Sequence, residues 1–96
     1  MEEPVVITKS CGNVFLDLGF PPDEAKILAM RADLMVQLGN MIDTKGWTQE
    51  EAAGILGISQ SRVSNLVRGR GGKFSLDTLV TLALRAGMDV NLSLAA

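Results

Sequence analysis

Ninety-six residues with 47% apolar side chains are enough for one modest core, and they exclude both a wholly disordered chain and a two-domain one. The net charge is −2, with no histidine and one cysteine, Cys11, so an internal disulfide, a Cys/His metal site and histidine-dependent catalysis are excluded. No apolar run approaches the ~20 residues of a membrane span and no secretory n- and h-region is present, so the expected setting is the cytoplasm, with Cys11 reduced.

In chain order, residues 1–12 have mixed chemistry and are expected to fray, although Val5-Val6-Ile7 is able to pair as a strand. Val14, Phe15, Leu16, Leu18 and Phe20 form an apolar cluster before Pro21 and Pro22, which suit a first helical turn. Residues 1–22 are thus expected to be a partly ordered N-terminal segment, residues 23–88 the main domain and residues 89–96 a tail. A long helix is expected from about Asp23 to Lys45, with Ile27, Leu34, Leu38, Met41 and Ile42 as its apolar stripe and Gly46 as its terminator. Gly39 weakens that helix by about 1 kcal/mol relative to alanine.

Thr48 and Glu51 make a T-x-x-E capping box behind Trp47, which fixes the angle of the incoming chain. Ala52, Ile55 and Leu56 then supply a buried face, and the small Ala53 permits close approach of a second helix. Gly57 ends this first short helix and Ile58 plugs the turn. Ser59 caps a second short helix whose inner face is Val63, Leu66 and Val67. Its outer face holds Gln60, Ser61, Arg62, Ser64 and Asn65, none of which a core requires. Two short helices across a glycine turn, the second with a polar outer face, match the geometry that places one helix in the major groove. Gly69, Gly71 and Gly72 follow in a mobile loop carrying Arg70 and Lys73. Ser75 caps a further helix, with Leu76, Leu79, Val80, Leu82 and Ala83 turned inward and Gly87 stopping it.

The tail Asp89-Val90-Asn91-Leu92-Ser93-Leu94 alternates polar and apolar residues, the period of a half-buried strand. A lone strand cannot satisfy its backbone groups, so it needs a neighbour. Val5-Val6-Ile7 is one choice. The same tail of a second copy is the other and the preferred one, with Val90, Leu92 and Leu94 as the dimer strand of a symmetric pair.

Charge is distributed unevenly. Residues 1–56 hold nine acids against four bases, whereas residues 57–76 hold Arg62, Arg68, Arg70 and Lys73 and no acid. The positive block therefore falls on the second short helix and the loop after it, where phosphates would lie. A solvated basic loop is the plainer explanation if the motif is ignored. The acidic front half serves solubility or faces a basic partner. An enzyme is not expected, because Cys11 has no base nearby and the carboxylates mostly decorate helix surfaces. No metal or other cofactor is expected.

The segment from Gln49 to Arg68 resembles the helix-turn-helix of the phage-repressor (Cro-like, xenobiotic-response-element) family. That pattern has a small residue at its fifth position, glycine at its ninth and apolar residues at its tenth, fifteenth and eighteenth; here they are Ala53, Gly57, Ile58, Val63 and Leu66. More widely, from about Gly12 to Leu94, the order of Gly-Asn-Val-Phe-Leu-Asp-Leu-Gly-Phe, the long helix, the Thr48-Gln49 motif, Lys-Phe-Ser-Leu-Asp-Thr-Leu and Gly-Met-Asp-Val-Asn-Leu is similar to small antitoxin regulators of the HigA kind. The resemblance implies an all-α, five-helix, lambda-repressor-like domain with a short C-terminal β-strand used in dimer pairing. It also implies a homodimer that binds operator double-stranded DNA, represses its own operon and binds a partner toxin, commonly an mRNA-cleaving RNase. Gln60 matches the helix-start glutamine that reads bases, with Ser61, Arg62 and Asn65 as further base-reading candidates. Arg62 is open to either guanine or phosphate. Gln49 matches a phosphate-contacting position, and Ser59, Ser64, Arg68, Arg70 and Lys73 complete the phosphate candidates. For each, a solvated helix face or a plain cap is the competing assignment. Val14 to Phe20 is a candidate toxin-docking segment, against simple packing on the long helix. A stand-alone repressor without a toxin and a protein-interaction module that does not bind DNA are the two rival functions.

Overall fold

A computed structural model describes residues 5–6, 14–70 and 74–95. The elements run β1 Val5–Val6, α1 Val14–Asp17, α2 Pro22–Lys45, α3 Gln49–Leu56, α4 Gln60–Val67, α5 Leu76–Arg85 and β2 Val90–Asn91. The class is all-α with five helices, as expected. Expectations that rest on Ile7, Cys11, Gly71, Gly72 and Lys73 fall outside the described residues.

The same three-part signal starts α3, α4 and α5. An apolar residue precedes a Ser or Thr N-cap, and an apolar residue sits at the fourth helical position. The sets are Trp47-Thr48-Ala52, Ile58-Ser59-Val63 and Phe74-Ser75-Leu79, and all their apolar members belong to or pack on the core. The caps are hydrogen-bonded as the sequence indicates. Glu51 N–H donates to Thr48 Oγ1 at 3.1 Å while Thr48 N–H donates to Glu51 Oε1 at 3.0 Å. Arg62 N–H donates to Ser59 Oγ at 3.2 Å, and Thr78 N–H to Ser75 Oγ at 3.2 Å. α2 begins without a side-chain cap, at Pro22, where a missing N–H costs nothing.

The core gathers Leu34, Leu38, Met41 and Ile42 of α2, Ala52 and Leu56 of α3, Val63 and Leu66 of α4, and Leu79, Leu82 and Ala83 of α5. α2 is the spine; α1, α4 and α5 pack along it. Phe74, between α4 and α5, is the largest fully buried side chain among the described residues. Ile58 and Trp47 are half-buried and pack on this core from the turn and from the start of α3.

Three apolar positions correct the sequence expectation. Ile27 is 47% exposed, Ile55 39% and Val67 41%. Ile27 lies on the first turns of α2, ahead of the core residues Leu34 to Ile42. Ile55 and Val67 flank, rather than join, the pairs Ala52/Leu56 and Val63/Leu66 that face inward. α2 gains Ala25 and Met35 as buried residues in exchange.

The tail strand is shorter than its alternation, covering Val90–Asn91 only, while Leu92 and Leu94 continue exposed beyond it. Of the two candidate neighbours, the chain's own N-terminal segment pairs with it, in parallel, with Val5 opposite Val90 and Val6 opposite Asn91. This is the within-chain alternative of the two. A parallel pair needs a long crossover, which the five helices between the strands provide.

Candidate nucleic-acid interface

The candidate site is built on α3, the Gly57–Ser59 turn and α4. Gly57 adopts φ 72°, a left-handed conformation that a Cβ disfavours, and its N–H donates to Ala53 O at 2.8 Å. Ile58 N–H also returns to Ala53 O, at 3.1 Å, so the reversal is closed by backbone bonds before Ser59 starts α4.

α4 is fixed by burial of Val63 and Leu66. At about 100° per residue, Ser61 and Arg68 then point most directly away from the core, with Ser64 and Asn65 beside them and Gln60 at the edge of the face. Exposure agrees: Gln60, Ser61 and Arg68 are exposed and Ser64 and Asn65 half-buried. No polar or charged residue among those described is buried, so the hydrophilic side of α4 is not consumed by the protomer. α4 is closed at its end by Arg70 N–H donating to Asn65 O at 2.8 Å and Gly69 N–H to Leu66 O at 3.2 Å. Arg68 and Arg70 are both exposed at this end.

Arg62 lies at the border of that face. It is half-buried, and its guanidinium carbon sits 4.8 Å from the centroid of the Phe74 ring. A cation over an aromatic face is attracted by the ring quadrupole, so Phe74 is both a core residue and a platform for a basic side chain. Ser59 accepts the Arg62 N–H, which leaves its own hydroxyl proton for another acceptor. Gln49 is exposed at the first position of α3. Its neighbour Glu50 is exposed too and opposes an anion there.

Two residues of the site went unread in the sequence. Phe74 could have been found as the apolar residue before the Ser75 cap. Arg85, in the last turn of α5, donates from Nη1 to the carbonyl of Leu56 at 2.8 Å. A cation there satisfies an orphan C-terminal carbonyl of α3 and meets the negative end of that helix. A Cβ placed on Gly57 would stand 3.0 Å from the same Nη1. Arg85 thus ties α5 to the turn that sets the angle between α3 and α4. The partners are 29 residues apart, and no local pattern announces such a bond.

Val14 to Phe20 shows the packing on the long helix that is one of its two expected roles. α1 packs on α2, yet Val14, Leu16, Leu18 and Phe20 remain exposed. No helix among the described residues is long and apolar enough to cross a membrane. No group of three or more His, Cys, Asp or Glu among the described residues is placed to hold a metal ion.

A family model described as a helix-turn-helix domain matches residues 14–95, taking in every helix from α1 to α5. No curated protein and no solved structure matches the chain.

Proposed function

Because the chain belongs to the helix-turn-helix domain family, the architecture of DNA-binding regulators, we propose that it is a sequence-specific repressor of its own operon and the antitoxin of a two-component system, with an RNase-type toxin as its protein partner. The observation that carries the DNA reading is the outward face of α4: Gln60, Ser61, Ser64, Asn65 and Arg68 are free of core duties beside the buried Val63 and Leu66. Gln60 is assigned to adenine N6/N7, with Ser61 and Asn65 reading neighbouring base edges. Arg62, held over Phe74 at the border of the face, suits a phosphate better than a base edge. Gln49, Ser59, Ser64, Arg68 and Arg70 are assigned to phosphates, with Lys73 following them in sequence.

A symmetric dimer would set two copies of α4 about 34–36 Å apart, one helical turn of DNA. β2 has one strand neighbour among the described residues, which leaves its other edge, with the exposed Leu92 and Leu94, to a second copy. The antitoxin and XRE-type assignments rest on the resemblance in the order of sequence motifs, and the partner reading draws support from the exposed apolar residues of α1.

The test is a mobility-shift titration on the chain's own promoter, with and without the product of the adjacent reading frame. A shift with DNA alone that changes when that product is added supports both halves. A shift indifferent to it leaves a stand-alone repressor, and no salt-dependent shift leaves a protein-interaction module.

A further inference from the structure

Among the described residues, the largest group of exposed apolar side chains close together in sequence is on neither α4 nor the tail. Val14, Leu16, Leu18, Phe20 and Ile27 are each 42–68% exposed, all within the span from α1 to the second turn of α2. Scattered single apolar residues on a surface need no explanation, but five exposed ones between Val14 and Ile27 are more than scatter. This group is held rigidly. Leu18 N–H donates to Val14 O at 3.1 Å, Gly19 N–H to Leu16 O at 3.0 Å and Phe20 N–H to Phe15 O at 3.1 Å, so the turn after α1 closes on itself. Phe15 and Phe20 meet edge to face with centroids 6.2 Å apart, and α1 rests on α2.

Carboxylates are set among these side chains. Asp17 lies three residues after Val14 and next to Leu18. Asp23 and Glu24 lie four and three residues before Ile27, on the same face of α2. All three acids are exposed, and Lys26 is the one base between Val14 and Leu28. Two such faces brought together would set carboxylate against carboxylate, which opposes a second copy of this chain as the occupant.

The position along α2 matters as much as the chemistry. α4 borders the later part of this helix, where Met35, Ile42, Trp47, Leu66 and Val67 line one groove. Ile27 is about 12 Å along the helix axis from Met35 and about 22 Å from Ile42. α2 therefore separates the apolar, acidic face from the reading helix.

We propose that the Val14–Ile27 face is the docking site for a protein partner with an apolar ridge or groove flanked by Lys and Arg, and that its occupancy leaves α4 free for DNA. The proposal rests on the partner half of the reading above and assigns it a place: the basic partner is the toxin, and repressor, toxin and operator form one ternary complex.

The probe is the purified product of the adjacent reading frame. The variants are Leu16→Ser/Ile27→Ser, which removes apolar contact, and Asp23→Lys/Glu24→Lys, which reverses the rim charge. All four positions are exposed, so circular dichroism and promoter binding should match the parent. Each double variant is expected to weaken partner binding about ten- to hundredfold, the charge variant losing most at low salt, while the parent with partner gives a supershifted DNA complex. If the parent binds and both variants bind equally, the site is wrong and the partner reading stands. If the parent does not bind the probe, the partner reading falls and takes this site with it. Competition between partner and DNA for the parent would overturn the separation of the two faces. A parent dimer that the Leu16→Ser/Ile27→Ser variant dissociates in sedimentation would make a second copy the occupant and overturn the proposal.

Discussion

Arg85 offers a quantitative check on how α5 holds the reading unit. Its Nη1 donates to Leu56 O at 2.8 Å, at the C-terminal end of α3 and 3.0 Å from where a Gly57 Cβ would stand. A hydrogen bond from a charged donor is worth about 1.5–3 kcal/mol, and the low end applies because the side chain is largely exposed and water can replace it. Arg85→Ala should therefore cost about 1.5 kcal/mol, or roughly 6–12 °C in Tm for a domain of this size. Gly57→Ala carries about 1–2 kcal/mol of left-handed backbone strain and also crowds the guanidinium, whose Nη1 stands 3.0 Å from the new Cβ and has to shift against its carbonyl. The two substitutions thus act on one shared bond. In a double-mutant cycle by urea unfolding, the double variant should be more stable than the sum of the singles implies by about 0.5–1.5 kcal/mol. Additivity within about 0.3 kcal/mol would show that the two positions are independent and that Arg85 does not brace the turn.

Further expectations concern the caps, the platform and the phosphates. Thr48→Ala removes one arm of the capping box and should cost about 0.5–2 kcal/mol in a thermal melt; the other arm, the residue-48 backbone N–H to Glu51 Oε1, survives it, so Glu51→Ala should lower the melt further in that background. Phe74→Leu should lower stability by about 1–2 kcal/mol, because Leu fills less of the core, and should release Arg62, read as a changed salt dependence of DNA binding. Phe74→Ala should cost about 3–5 kcal/mol. Arg68→Ala should weaken binding to every DNA sequence and reduce the slope of log K against log salt by about 1; an unchanged slope would remove Arg68 from the phosphate contacts.

Local grammar was legible in the sequence and long-range pairing was not. Caps and stops depend on a few adjacent residues, so Thr48, Glu51, Gly57, Ser59 and Ser75 were read correctly from their neighbours. The central stripe of α2 was legible too, because Leu34, Leu38, Met41 and Ile42 follow helical spacing. That spacing gives the direction of a stripe and not its ends. Ile27 fits the chemistry of a core residue but precedes the stretch of α2, Leu34 to Ile42, that joins the core, and Ile55 and Val67 sit just off the inward pairs. Choosing between Val5–Val6 and a second copy for the tail strand was beyond periodicity, since both supply the same backbone groups. The polar face of α4 was legible because Val63 and Leu66 fix its rotation. The Arg85–Leu56 bond and the seat of Arg62 on Phe74 depend on how α5 and the residues before it pack against α3 and α4, which no window of sequence contains.

The central claim is that α4 reads bases with the side opposite Val63 and Leu66. It is tested most directly by comparing parent and the Gln60→Ala/Asn65→Ala variant on the chain's own promoter and on a scrambled duplex of equal length, in one salt concentration. The account predicts a loss of about 2–5 kcal/mol on the promoter and little change on the scrambled duplex, with the melting temperature preserved. Equal affinities of parent and variant for the promoter, at an unchanged melting temperature, would contradict it.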